Sequence, residues 1–389
     1  MVGATLVVNV LIPKGGIYLH GVPVTWGYLL LGATAAALLV TPPEGRAGWS
    51  KGNVLVVAGI VGFGLLAAAN IVLRPLQVGL KDDVLPFVVS SVVIPLLSLV
   101  VGRRLVVHYG VVRLARTTAL LLAAVAAWGV VHFAVMNAFH LFIGVPYVTV
   151  TGGHLASVAF KNINRGGVYK LVSTYNNGNI FGVNVLMWFP LVAFTGWSVR
   201  SGWITRLALL LTISRTAWIG WLAAEVAGRL ASVRRRADLI VLPVILLVAL
   251  LGITVAAFVW FRHPGNFLFD ASLGGRAGQF AGPVTVLGGP FEGIREVVYM
   301  SVLHDFGAVG LAVFLAVWSS PLWVPASSLP VRLAKVGLLV YLLIMFSDGA
   351  FVLVPTQWTY WTIASIVLFS RDGVHGPPSA PAGRAAKRP

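Results

Sequence analysis

LLLTISRTAWIG, residues 209–220, sets Arg215 inside a run that is otherwise apolar and is flanked on both sides by chain of membrane-spanning character. A charge at membrane depth is expensive, so a retained one marks a candidate functional site. Counting crossings outward from this segment decides how it is laid out. Basic clusters, which favour the cytoplasmic side, occur at Arg103, Arg104, Arg113 and Arg116 and again at Arg229, Arg234, Arg235 and Arg236. Between them lie apolar spans at 117–136 and 182–196 and the segment 203–229. A single crossing of 203–229 leaves the two clusters on opposite sides. Two short helices, 203–214 and 216–229, with Arg215 at their outer apex, return both clusters to one side, and this is the predicted layout.

Composition points the same way. Of the 389 residues 58% are hydrophobic and only 10% charged, with a mean hydropathy of +0.91. A soluble globule is closer to half apolar and a quarter charged. The fold class expected is an all-α polytopic membrane protein. The net charge of +17 would invite a nucleic-acid partner in a soluble chain, but most Lys and Arg sit in short loops and the tail, so the excess is read as topogenic and no nucleic acid is expected. The absence of cysteine excludes disulfides and thiolate metal sites. The start, MVGATLVVNVLIPKGG, lacks a basic region and a small-residue cleavage site and reads as a retained segment.

Spans are predicted at 2–13, 22–40, 53–72, 84–101, 117–136, 182–196, 203–214, 216–229, 239–261, 297–318, 336–353 and 356–370. That makes about twelve crossings in a single transmembrane domain, 1–370, with both ends cytoplasmic. Several are shorter than the ~20 residues that cross a hydrocarbon core and are expected to tilt or to pack as half-helices. Inside loops then carry Arg46 with Lys51, Arg200, and Arg332 with Lys335. The tail 371–389, with Arg371, Arg384, Lys387 and Arg388, is Pro/Ala/Gly-rich and reads as a disordered cytoplasmic end. Two long loops, 137–181 and 262–296, fall outside, and loops of such length are functional or disordered. No internal repeat of 20–50 residues is visible.

The outer loops hold the candidate chemistry. In KNINRGGVYKLVSTYNNGNIFG, Lys161, Arg165 and Lys170 precede Tyr175, Asn176, Asn177, Gly178 and Asn179 at the mouth of a span. Amides there serve either a hydroxyl-rich or anionic ligand or an Asn-Gly turn that caps the next helix. The second loop holds Arg262, His263, Asp270, Arg276, Glu292, Arg295 and Glu296. With Arg215 these bring several guanidinium groups to one side, and a guanidinium fork suits phosphate oxygens. For Arg276 and Arg295 a solvated loop charge is the competing reading. Glu296 opens the span at 297–318, as a capping carboxylate or as a catalytic one. Glu296 and Asp305 are nine positions and roughly 900° apart on a helix, which sets them on opposite faces, so Asp305 or His304 is expected to make a buried polar contact. Asp348, in FSDGAF, is a further acidic residue near the outer face, beside a glycine that breaks its helix. His132 and His140 read as ordinary histidines on or beside a span. No HExxH, P-loop or GxGxxG is present, and the one close acidic pair, Asp82–Asp83, lies in a short loop beside Lys81.

Three of these segments, in order between residues 170 and 320, resemble the O-antigen ligase and polymerase superfamily of integral-membrane transferases. STYNNGNIFG is similar to the family's Asn-x-Asn segment, with Asn177 and Asn179 in the asparagine positions. TISRTAWIG is similar to its Ser-Arg-Gly segment, with Ser214 and Arg215 on the pair and Thr216 where glycine is usual. YMSVLHDFGAVGL is similar to its terminal helix, with Tyr299 at the tyrosine and Asp305 in place of a glutamate. Glu296 stands where the ligases carry a His-Asn pair, and His304 is eight residues out of register, which turns the resemblance toward a polymerase.

The resemblance implies a donor glycan on undecaprenyl diphosphate, an acceptor sugar hydroxyl, and a site on the outer face of a bacterial inner membrane, facing the periplasm. It implies inversion without a metal or other cofactor, Arg215 and Arg276 stabilising the departing diphosphate with Arg295 as a weaker third, and Glu296 orienting or deprotonating the acceptor. Substrate contacts are expected from Arg295, Asn177, Asn179, Tyr175, Arg165, Tyr299 and His304. Membrane lipid, a chain-length regulator and a flippase are the implied partners. The competing readings are a ligase that moves finished glycan to lipid A core or to protein, and a flippase or transporter of a lipid-linked glycan.

Overall fold

The computed structural model describes residues 1–19, 22–40, 50–74, 79–153, 164–165, 168–195, 199–233, 276–280, 282, 284–326, 328–353 and 355–370. These form a mainly helical bundle, and five helices are long and apolar enough to cross a membrane: Lys51–Leu73, Leu85–Tyr109, Val111–Phe139, Gly178–Thr195 and Val298–Trp323, the last counted with its terminal 3-10 turn. In chain order the described elements are α1 (Val2–Leu11), a hairpin of β1 (Gly16–Leu19) and β2 (Val22–Thr25), α2 (Trp26–Val40), α3 (Lys51–Leu73), α4 (Leu85–Tyr109) and α5 (Val111–Phe139). A two-residue strand pair, β3 (Asn164–Arg165) with β4 (Val168–Tyr169), precedes α6 (Gly178–Thr195), α7 (Val199–Leu211), α8 (Arg215–Val233), α9 (Val298–Ser319), α10 (Leu329–Ile344) and α11 (Thr356–Phe369). The expected span 239–261, the basic residues 234–236, Arg46, Lys161, Arg262, His263, Asp270 and the tail 371–389 lie outside the described residues.

The helical hairpin predicted around Arg215 is present. Helix α7 ends at Leu211, Ile213 takes a left-handed conformation at φ 45°, and α8 begins at Arg215. Ser214 caps the new helix, its Oγ accepting the Ala217 N–H at 3.4 Å. Arg206 and Glu225 join the two arms through an ion pair at 2.6 Å.

Two expectations need correction. The basic cluster at 103–116 is a helical corner: Arg103 and Arg104 belong to α4, Arg113 and Arg116 to α5, and only Gly110, at φ 68°, separates them. A left-handed residue between two helices favours glycine because it has no Cβ to clash. Arg332 and Lys335 likewise belong to no loop. They sit in the first turns of α10, 8% and 9% exposed, and the Arg332 Nε donates to the Ala231 carbonyl at 3.3 Å. That carbonyl closes the last turn of α8, where acceptors are left over and a cation is favoured.

The centre of the bundle is α11, whose side chains are buried from Thr356 to Phe369. It packs on α4 and α10, while α10 also lies against α6 and α8. Close approach depends on glycine: a Cβ at Gly102 in α4 would stand 2.3 Å from the Ser365 Oγ, and one at Gly337 in α10 would stand 2.0 Å from the Met187 carbonyl oxygen. Small residues of this kind let backbones meet where lipid supplies no hydrophobic drive for helices to associate. A second core is aromatic, with Phe63, Phe87, Phe291, Phe306, Phe314 and Trp318 stacked edge or face between α3, α4 and α9.

Helix α9 is broken at Gly307, where φ is 73° and ψ −172°. The break frees the His304 carbonyl and the N–H groups of Ala308 and Val309, which an unbroken helix would pair internally. The segment before the helix takes them up. Gly289 N–H donates to the His304 carbonyl at 2.6 Å, while Ala308 and Val309 N–H donate to the carbonyls of Thr285 and Val286 at 3.0 and 3.1 Å. Irregular backbone at this depth is tolerated where protein satisfies its polar groups.

Candidate functional site

Four segments far apart in sequence meet at one end of the bundle. Arg276, just before a 3-10 turn at Ala277–Phe280, extends its guanidinium between two carboxylates: Nε to Glu296 Oε2 at 2.5 Å and Nη2 to Asp348 Oδ2 at 3.0 Å. The same Asp348 oxygen accepts the Asn179 Nδ2 at 2.5 Å. Backbone bonds lock these segments together. Gly349 N–H donates to the Glu296 carbonyl at 3.1 Å, Val298 N–H to the Met345 carbonyl at 3.1 Å, and Val297 N–H to Gln279 Oε1 at 3.0 Å. Thr216, next to Arg215, shares a 3.0 Å hydroxyl contact with Ser347, which brings the start of α8 to the same place.

The two acids differ in setting. Asp348 follows the end of α10 and its side chain is 7% exposed, whereas that of Glu296 is 49% exposed. The Arg276 guanidinium offsets the cost of enclosing the Asp348 carboxylate. Lys170, also buried, is near enough to act on Asp348 in the same sense as Arg276. A half-exposed carboxylate held by a guanidinium suits the removal of a proton from an incoming hydroxyl. The N-terminus of α8, led by Arg215 and capped by Ser214, presents the positive end of a helix dipole, which suits an anion.

The sequence-derived candidates are distributed as follows. Arg276, Glu296 and Asn179 are joined by the contacts above, and Arg215 heads the adjoining helix. Asn177 is exposed and caps α6: its Oδ1 accepts the Asn179 N–H at 2.8 Å after Asn176 turns left-handed at φ 56°. The capping reading of the Asn-Gly turn therefore holds for Asn177, while Asn179 carries the polar contact. Arg295 pairs with Glu292 at 2.8 Å on the surface, both side chains about half exposed. Tyr175 and Tyr299, expected as substrate contacts, lie in the core. Tyr175 is 1% exposed and packs edge-on against Phe181, and the Tyr299 hydroxyl donates to the Leu342 carbonyl at 2.6 Å, so both are core anchors. His304 lies beside Gly282 with its Nε2 buried and without a hydrogen-bond partner. Arg165 is in β3, and its side chain lies outside the described residues.

Glu296 precedes α9, so helical periodicity does not relate it to Asp305. Asp305 makes the buried polar contact expected of it, its Oδ1 accepting the Glu292 N–H at 3.1 Å. Asp348 and Lys170 are members of the cluster that sequence reasoning noted and left unassigned. Among the described residues no group of three or more His, Asp or Glu side chains is arranged to hold a metal ion. Comparison with protein-family models, with curated proteins and with solved structures finds no match for this chain.

Proposed function

We propose that the chain is a membrane glycosyltransferase that polymerises undecaprenyl-diphosphate-linked oligosaccharide repeat units on the outer face of a bacterial cytoplasmic membrane. The observation that carries this reading is the Arg276 bridge between Glu296 and Asp348, with Asn179 on the same carboxylate. It unites the two loops that the charge pattern puts outside with the mouths of α6 and α8. In this reading the acceptor hydroxyl attacks the anomeric carbon of the donor as its proton passes to Glu296. The bond from that carbon to the diphosphate oxygen breaks with both electrons staying on the diphosphate. A single displacement inverts the anomeric centre. Arg276 holds two carboxylates and so fixes Glu296, while Arg215 and the positive end of the α8 dipole oppose the growing negative charge.

The proposed topology has twelve crossings, with the segment 239–261 as the ninth. Its support is that contacts sort by end. Asn70 of α3 and Arg74 just after it meet Leu287 and Gly289, Asp348 beyond the end of α10 meets Arg276 and Asn179, Thr216 at the start of α8 meets Ser347, and Arg332 meets the other end of α8. A flippase and a chain-length regulator would supply the substrate and set product length.

The test is glycan length on a gel from cells lacking the gene, complemented with wild type, Arg215→Lys or Glu296→Gln. A ladder from wild type, and single-repeat glycan from each variant, is the expected result. A wild-type ladder from both variants would overturn the residue roles. Long lipid-linked chains that accumulate without transfer would identify a ligase, and loss of all outward glycan a flippase.

A further inference from the structure

The described residues between Gln279 and Glu296 lie down one side of α9 and back up. At the first end Gln279 meets Val297, at the top of the helix. Gly282 then lies against His304, and Thr285 and Val286 meet Ala308 and Val309 at the Gly307 break. On the way back Gly289 meets His304, Glu292 meets Asp305, and Glu296 regains the top. At ~1.5 Å per residue the turning point is about 14 Å down from the start of α9, near half of a ~30 Å hydrocarbon core. Val284, Val286 and Leu287 at the turn are each more than 60% exposed, so its outer side is apolar where lipid would meet it.

The inner side is held by specific bonds. Gly288, at φ 82°, lies so close to the helix that a Cβ would stand 2.3 Å from the Asp305 carbonyl oxygen. Helix α3 clamps the returning arm, Arg74 Nη1 donating to the Gly289 carbonyl at 2.9 Å and Asn70 Nδ2 to the Leu287 carbonyl at 3.3 Å. Phe291 packs against both rings of the stacked pair Phe87 and Phe306. Two side chains of α9 accept from this arm among the described residues: Ser301 Oγ from the Arg295 N–H at 3.0 Å near the top, and deeper Asp305, 1% exposed, from the Glu292 N–H, with the Asp305 Oδ2 buried and without a hydrogen-bond partner among them. A carboxylate in such a place is costly unless its bond to the arm is needed.

We propose that residues 279–296 form a re-entrant hairpin seated in the outer leaflet, and that Asp305 is the positioning residue that latches it. The hairpin carries Arg276 before one arm and Glu296 at the end of the other, so its docking sets that pair. The link to Glu296 rests on the transferase reading, whereas the latch itself does not.

The chain contains no cysteine, so one introduced thiol reports on the hairpin alone. Ile294→Cys, on the returning arm and partly buried, is labelled with a membrane-impermeant maleimide in otherwise wild-type, Asp305→Asn and Asp305→Ala backgrounds. Polymerisation is read from the same cells. Asn keeps an acceptor for the Glu292 N–H and Ala does not. The expected result is labelling about ten-fold faster or more in the Ala background, the equivalent of losing one hydrogen bond to a charged acceptor, with near wild-type labelling in Asn. Polymerisation should fall in Ala and be retained in Asn. Equal labelling in Ala and wild type would overturn the latch, and faster labelling with an undiminished ladder would overturn its positioning role. If wild type makes no ladder, the transferase reading fails and faster labelling in Ala still supports the latch. Where Asp305→Ala does not reach the membrane, Arg74→Ala, which releases the Gly289 carbonyl, carries the same labelling prediction.

Discussion

Arg276 holds two carboxylates whose surroundings separate their contributions. The bond to Asp348 is enclosed, with side-chain exposures of 15% and 7%, while the bond to Glu296 ends on a carboxylate 49% exposed. Asp348→Ala removes the enclosed acceptor of both Arg276 and Asn179 and leaves the guanidinium only the half-exposed Glu296, so it should cost about 3 kcal/mol of stability. Glu296→Ala should cost about 1 kcal/mol or less, because water screens the partner left behind. Thermal unfolding in detergent checks this: a clear fall in Tm for Asp348→Ala against little change for Glu296→Ala is expected, and equal falls would contradict the assignment of Asp348 as the enclosed anchor. Activity should run the other way round in relative terms, with Glu296→Gln losing polymerisation about 100-fold or more while remaining folded. The sequence identifies Arg276, Glu296 and Asn179 as polar groups near one face. It does not pair them, because Asp348 reaches Arg276 and Asn179 across 72 and 169 positions of chain.

Among the elements, the α7–α8 hairpin and the broken α9 differ in how they were legible. The hairpin follows from counting basic clusters across the membrane, since a charge rule constrains crossings whatever the local geometry. The break in α9 has no such signal, because GAVGL is apolar throughout and reads as a continuing span. Its reason is steric and tertiary. At Gly307 a Cβ would stand 2.3 Å from the Gly288 nitrogen and 2.4 Å from the Val286 carbonyl oxygen, in a backbone region that suits glycine. Gly307→Ala should therefore remove most folded protein, as read by size-exclusion chromatography of a fluorescent fusion. Gly110→Ala is the control. Its φ of 68° is also left-handed but nothing lies within 4 Å, so a cost of about 1 kcal/mol and near-normal yield are expected. Equal yields from the two variants would show that the contact with 286–288 does not hold the break in place.

Across the whole molecule, several contacts between distant segments join ends that the charge pattern puts on the same side. Arg74 and Asn70 reach the loop before α9, Trp26 Nε1 donates to the Tyr147 carbonyl at 2.7 Å, and Arg332 reaches the last turn of α8. This makes the orientation testable in the cysteine-free chain. A thiol at Gly278, exposed and with open space around it, should react with impermeant maleimide in intact cells. One at Ser232, exposed at the far end of α8, should react only after permeabilisation. The opposite pattern would invert the proposed topology and remove the outer-face site with it.

What the sequence by itself determined is the membrane class, the helical hairpin at Arg215 and the face on which the polar candidates gather. Hydropathy and charge bias act on local stretches of chain and accumulate along it, so they can be read without coordinates. The tertiary structure alone decided that Asp348 anchors Arg276, that Glu296 stands before its helix, that Tyr175 and Tyr299 are core residues, and that Arg332 and Lys335 are buried. Each of those depends on which backbone groups and side chains another segment leaves unsatisfied, and that is fixed only when the helices pack.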